Sequence, residues 1–116
     1  MIISAAYPKA SRLRRRAEFL GVQGGGRRRH TAHLVLIRRP AETSRTRLGV
    51  TVSKRIGNAV VRNRVKRLVR EVFRLHQVHI QPAVDLVVIA KPGAENLTYA
   101  QVAAEFARGL DLAVDG

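Results

Sequence analysis

The chain has 116 residues, with 22 Lys and Arg against 8 Asp and Glu, a net charge of +14, 46% hydrophobic residues and no cysteine. That length is one domain, the missing cysteines exclude disulfides and thiolate metal sites, and no run reaches the roughly 18 apolar residues of a spanning helix. A field of this sign attracts polyanions, so nucleic acid leads the list of partners, ahead of an anionic membrane surface or an acidic protein.

Residues 1–10 are mildly apolar at first, and the run is too short for the core of a signal peptide. They are expected as an N-terminal extension, a candidate for disorder, at the head of a single RNA-binding domain spanning residues 1–116. A short helix is expected over residues 12–23, ended by Gly24-Gly25-Gly26. Arg27-Arg28-Arg29 follows, either a second phosphate contact or a solvated basic loop. Residues 33–39 (HLVLIRR) read as a strand and residues 40–45 as a polar turn.

Residues 47–54 (RLGVTVSK) alternate. Leu48, Val50 and Val52 point one way, Gly49, Thr51 and Ser53 the other, the period of a half-buried strand. Residues 84–90 (VDLVVIA) form a nearly continuous apolar run, which predicts a central strand buried on both faces. Residues 99–110 read as a closing helix.

The informative helix is expected over residues 58–74, with Asn58 as its N-cap. At 100° per residue, Val61, Val65, Leu68 and Val72 share one stripe, with Val69 and Phe73 at its margin. Arg62, Lys66, Arg70 and Arg74 fall four apart on a neighbouring face, beside Asn63 and Arg67. Arg62 and Arg67 are both expected to face solvent. Like charges at that spacing repel by a few tenths of a kcal/mol per pair, a cost that a polyanion alongside removes. The other reading of such a face is a solvated cationic surface with no partner. Ser53-Lys54-Arg55 at the end of the preceding strand sits close to the helix N-terminus, which itself attracts phosphate.

The charge is uneven: residues 1–80 hold 20 basic and 3 acidic side chains, residues 81–116 hold 2 and 5. Binding chemistry is therefore expected in the first two thirds. The acids are scattered, without the paired carboxylates a protein nuclease uses. His30 and His33 flank a strand start, and His76 and His79 stand three apart near a helix end. With no carboxylate near them in sequence, surface or packing roles are preferred over metal binding or proton transfer. No catalytic and no metal-binding residue is assigned.

The stretch RLGVTVSKRIGNAVVRNRVKRLVREVFR, residues 47–74, resembles the signature region of bacterial ribonuclease P proteins. Arg62-Asn63-Arg64, followed by Lys66-Arg67 and Arg70, is similar to that family's RNR motif. RLRRRAEFL (12–20) resembles its first helix and DLVVIAKPGA (85–94) its later strand and turn. The resemblance implies an α+β fold, an α-β-β-β-α-β-α sandwich with a left-handed crossover, similar to ribosomal-protein-type RNA-binding domains. It implies a cytoplasmic, non-catalytic subunit of an endonuclease whose RNA subunit removes the 5′ leader from precursor tRNA, using Mg2+ held mainly by that RNA. Its partners are then ribonuclease P RNA and precursor tRNA, with no membrane, as a monomer bound 1:1 to the RNA.

By motif, the RNA-facing positions are Arg62, Asn63, Arg64, Lys66, Arg67 and Arg70, with Ser53, Lys54 and Arg55 beside them. Phe19 matches an aromatic in the leader cleft between the first helix and the sheet; plain core packing is its other reading. Gln23 and Ile37 stand where relatives often carry further aromatics, so this cleft is expected to be less aromatic. The alternative function is a ribosomal or general RNA-binding protein with no role in tRNA processing, and a third is an independent nuclease using the histidines.

Overall fold

The computed structural model describes residues 9–112. Helix α1 (Arg16–Gly25) is followed by strands β1 (Arg27–His30), β2 (Leu34–Pro40) and β3 (Arg47–Thr51), helix α2 (Ala59–His76), strand β4 (Val84–Ala90) and helix α3 (Tyr99–Gly109). The order is α-β-β-β-α-β-α, as the resemblance implied. The strands form one sheet in the order β1-β2-β4-β3. β2 runs antiparallel to β1 and β4, and β3 runs parallel to β4, so α2 is the crossover between parallel neighbours.

The register divides the side chains between two faces. Leu34 and Leu36 of β2, Leu48 and Val50 of β3, and Leu86, Val88 and Ala90 of β4 enter the main core with Val65, Val69, Val72 and Phe73 of α2 and Val102 and Phe106 of α3. Val35, Ile37 and Val87 face the other way, into a smaller cluster with Leu13 and with Val22 of α1. β4 therefore has apolar partners on both faces, which is why its sequence lacks alternation.

Most element ends lie within two residues of the sequence expectation, and three departures go further. α1 starts at Arg16 rather than residue 12, because Leu13 N–H donates to the Leu48 carbonyl (2.9 Å) and ties that segment alongside β3. β3 ends at Thr51, where the chain turns with Ile56 N–H donating to the Ser53 carbonyl (3.1 Å). Arg27–His30 is an edge strand rather than a loop. Of the expected N-terminal extension, Lys9 and Ala10 enter a short 3-10 turn (Lys9–Ser11), and residues 1–8 lie outside the described residues.

The core face of α2 is rotated from the expected centre. Val65, Val69, Val72 and Phe73 are buried, while Val61 and Leu68 are only partly so. The helix leans its Val69 and Phe73 side inward because that side meets both β3 and α3. Gly49 is required for packing on the opposite face: a Cβ there would lie 2.5 Å from the Phe19 ring.

Candidate nucleic-acid interface

Asn58 caps α2 as expected, its Oδ1 accepting from Val61 N–H (3.0 Å). The helix then carries Asn63, Arg64, Arg67 and Arg70 exposed on its outer side. Lys66 and Arg62 stand at the border with the core and are half-buried. Arg62 thus departs from the expected solvent position: its Nε is buried with no hydrogen-bond partner. Its angular position explains this, since it lies only about 20° from Phe73 around the helix.

Arg64 donates from Nη2 to the Glu95 carbonyl (2.6 Å), which fastens α2 to the 3-10 turn Ala94–Asn96 after β4. Arg74 is paired with Glu71 (Nε to Oε1, 3.1 Å), and this partner raises the Arg74 pKa and lowers that of Glu71. Asn63, Arg67, Arg70, Glu71 and Arg74 line a shallow concavity of about 300 Å³. Among the described residues, Arg62, Arg64, Lys66 and Arg67 have no carboxylate partner. An array of guanidinium and ammonium groups without counter-charges suits the bidentate geometry and charge of phosphate oxygens.

Ser53, Lys54 and Arg55 are exposed at the seam between β3 and α2. Ser53 Oγ accepts from Arg55 N–H (3.3 Å), and buried Ile56 pins the loop from below. Lys54 and Arg55 therefore stand beside the positive end of the α2 dipole, where phosphate is favoured.

The face of the sheet under α1 has three cross-strand rows. In the first, Arg47 of β3, Asp85 of β4 and Arg39 of β2 are in register. Asp85 is fully buried and accepts from Arg47 Nε and Nη2 (2.9 Å each). Arg47 Nη1 also donates to Glu18 Oε2 (2.9 Å), and Glu18 Oε1 accepts from the backbone N–H of Arg14 and Arg15 (2.9 Å each), capping α1. Those backbone bonds, and then Arg47, hold the Glu18 carboxyl below its ordinary value despite some opposing burial. Asp85 raises the Arg47 pKa.

The second row, Gly49, Val87, Ile37 and Arg28, runs beneath Phe19 and Val22 of α1. The third row, Thr51, Ile89, Val35 and His30, lies beyond the helix. Thr51 and Ile89 are half-buried, Val35 is buried and His30 is exposed, so this row is the floor of a partly open groove along the helix that carries Phe19. Phe19 is half-buried, with part of its ring packed on Gly49.

The histidines do not converge. His76 donates from Nδ1 to the Val72 carbonyl (2.8 Å) and packs near Phe106, while His79 is exposed. His33 does have a carboxylate nearby, one that sequence distance concealed: its Nδ1 and backbone N–H donate to Glu105 of α3 (2.7 and 2.8 Å), and Thr31 Oγ1 donates to the same carboxylate (2.6 Å). Burial opposes the charge on Glu105, but these bonds outweigh it and lower its pKa. The cluster knits α3 to the β1–β2 turn. A mostly apolar concavity of about 470 Å³, bordered by Arg27, Pro40, Pro82 and Leu110, lies at the far end of β2 and includes none of the site residues expected from sequence. Among the described residues no group of three or more His, Asp or Glu is placed to hold a metal ion, and no helix is long and apolar enough to cross a membrane.

The ribonuclease P family model matches residues 7–113. The ribonuclease P protein component of Geotalea uraniireducens (strain Rf4) is 43% identical over 106 residues, covering 91% of this chain and 93% of that protein. That of Desulfatibacillum aliphaticivorans is 48% identical over 88 residues, covering 76% and 75%. Among solved structures, the Staphylococcus aureus RNase P protein superposes with a TM-score of 0.81 at 36% identity, covering 89% of this chain and 94% of that one. The Thermotoga maritima RNase P protein, in complex with 1-(4-fluorophenyl)-2-thiourea, superposes with a TM-score of 0.80 at 29% identity, covering 89% and 100%.

Proposed function

The chain belongs to the ribonuclease P protein family, and from that premise we propose that it docks the catalytic RNA on α2 and holds the single-stranded 5′ leader of precursor tRNA in the groove beside α1. The observation that carries this reading is the carboxylate-free cationic edge of α2, exposed Arg64 and Arg67 with half-buried Arg62 and Lys66, set against the seam residues Lys54 and Arg55. Each guanidinium presents a planar fork to phosphate oxygens, and neutralising several phosphates releases condensed counterions, which is the main source of affinity. Arg62, Asn63, Arg64, Lys66, Arg67 and Arg70 contact folded RNA, with Ser53, Lys54 and Arg55 extending the contact to the groove. There Phe19 offers the open part of its ring for an unstacked leader base to stack on, a contact worth about 1–3 kcal/mol.

The chemistry belongs to the RNA in this reading. Each described carboxylate on this chain already has a partner: Glu18, Glu42 and Asp85 with Arg47, Glu71 with Arg74, Glu105 with His33, Asp111 with Arg29, and Glu95 with the Gly93 N–H. That donor set does not suit a catalytic Mg2+, so the reaction's magnesium ions are assigned to the RNA subunit. The protein acts in the cytoplasm, as one copy per RNA, by positioning substrate and screening charge.

The test is reconstitution: the purified chain is added to a bacterial ribonuclease P RNA and precursor tRNA at low magnesium. The expected result is cleavage at the mature 5′ end at a rate well above that of RNA alone. No stimulation, with tight RNA binding retained, would favour a general RNA-binding role instead.

A further inference from the structure

The third cross-strand row does not stop at β2. Val35 is in register with His30 of β1, and one row back Ile37 is in register with Arg28. Side chains alternate along β1, so Arg28 and His30 project on the α1 face of the sheet while Arg27 and Arg29 project on the other. Arg29 bears this out, reaching Asp111 beyond α3 (2.7 Å). Arg28 and His30 are both exposed, and Arg28 Nη2 leans back to the Gln23 carbonyl at the end of α1 (3.4 Å). A guanidinium plane and an imidazole ring thus stand side by side where the groove leaves the sheet. Both are flat groups on which unstacked RNA bases stack, and the guanidinium also binds phosphate.

We propose that Arg28 and His30 form the outer clamp of the leader groove, gripping nucleotides of the single-stranded leader remote from the cleavage site. This rests on the leader occupying the groove. The polarity follows from the sheet order β1-β2-β4-β3. The RNA-docking helix and the Lys54–Arg55 seam adjoin β3, so a strand of RNA entering there crosses β4 and β2 before it meets β1. Three strand spacings of about 4.8 Å make that path about 14 Å. The clamp is therefore reached only by a leader long enough to cross the sheet.

The experiment uses holoenzyme assembled from the full chain and a ribonuclease P RNA, with precursor tRNAs whose leaders lengthen one nucleotide at a time. Three variants are compared with the parent. Arg28→Ala/His30→Ala removes the clamp. Arg27→Ala removes one exposed charge from the opposite face of the same strand. Thr51→Glu places a negative charge on the groove floor at the end of β3. Thermal unfolding checks that each is folded.

The clamp variant is expected to bind leaderless and short-leader substrates like the parent, then to lose about tenfold in affinity once the leader passes a threshold length. Thr51→Glu should lose affinity from shorter leaders onward, and Arg27→Ala should show no length dependence. If Thr51→Glu behaves this way while the clamp variant matches the parent at every length, the clamp is refuted and the groove stands. A clamp variant that is weakened equally at all lengths also refutes it, since β1 would then touch something other than leader. If neither variant responds to leader length, the groove reading itself falls.

Discussion

Arg47 donates to both oxygens of Asp85 and to Glu18, and Asp85 has no exposed surface. Removing the cation would leave a buried carboxylate with, among the described residues, only Arg39, 4.0 Å away, to answer it. Arg47→Ala is accordingly expected to cost about 3 kcal/mol or more in a urea titration, although Arg47 lies outside the RNA-binding helix. Glu18 adds a pH dependence. Its pKa is lower in the folded protein than the ordinary 4.5, so its contribution is fully present above that value and is lost as pH falls below it. Glu18→Gln should lower the melting temperature at neutral pH and flatten its decline below about pH 4.5, as followed by circular dichroism across a pH series. This network was not legible in the sequence. Arg47 read as one more basic residue and Asp85 as an interruption in an apolar run; only the parallel pairing of β3 with β4 puts them in register. His33 and Glu105, 72 residues apart, were hidden for the same reason.

At the scale of the element, α2 was the most legible part of the chain, because its polar and apolar positions repeat with the helical period and Asn58 marks its start. The exact centre of its core stripe was not, because a helix packed on two partners buries the sum of two faces. Phe73 is fully buried and Leu68 only partly. Phe73→Ala should therefore cost about 3–5 kcal/mol, while Leu68→Ala should cost roughly 1–2 kcal/mol; equilibrium unfolding of the two variants side by side decides it, and the reverse order would restore the stripe read from sequence. β1 was illegible for a different reason. All four of its residues are exposed, so neither face imposes an apolar period, and RRRH reads as a basic loop. Its strand character comes from backbone pairing to β2 alone. Charged side chains on such an edge also protect the sheet from unwanted strand addition.

Across the whole molecule, the charge asymmetry read from the sequence becomes a spatial one. Among the described acids beyond residue 80, Asp85 is buried under α1, Glu105 is buried beneath the β1–β2 turn, and Asp111 is paired with Arg29 at the surface. The basic surplus is left on the surface of α2, on the β3–α2 seam, on β1 and around the start of α1. Family and topology followed from the long motif, and the placement of the groove needed the register of four strands. The central claim is that the outer face of α2 binds RNA through phosphates. It is tested most directly by measuring affinity for a ribonuclease P RNA as a function of salt, for the parent chain and for Lys66→Ala/Arg67→Ala. Affinity of the parent should fall steeply with salt. The variant should bind more weakly, with a logarithmic slope smaller in magnitude by about 2 and an unchanged melting temperature. An identical slope in parent and variant, with both chains folded, would contradict it.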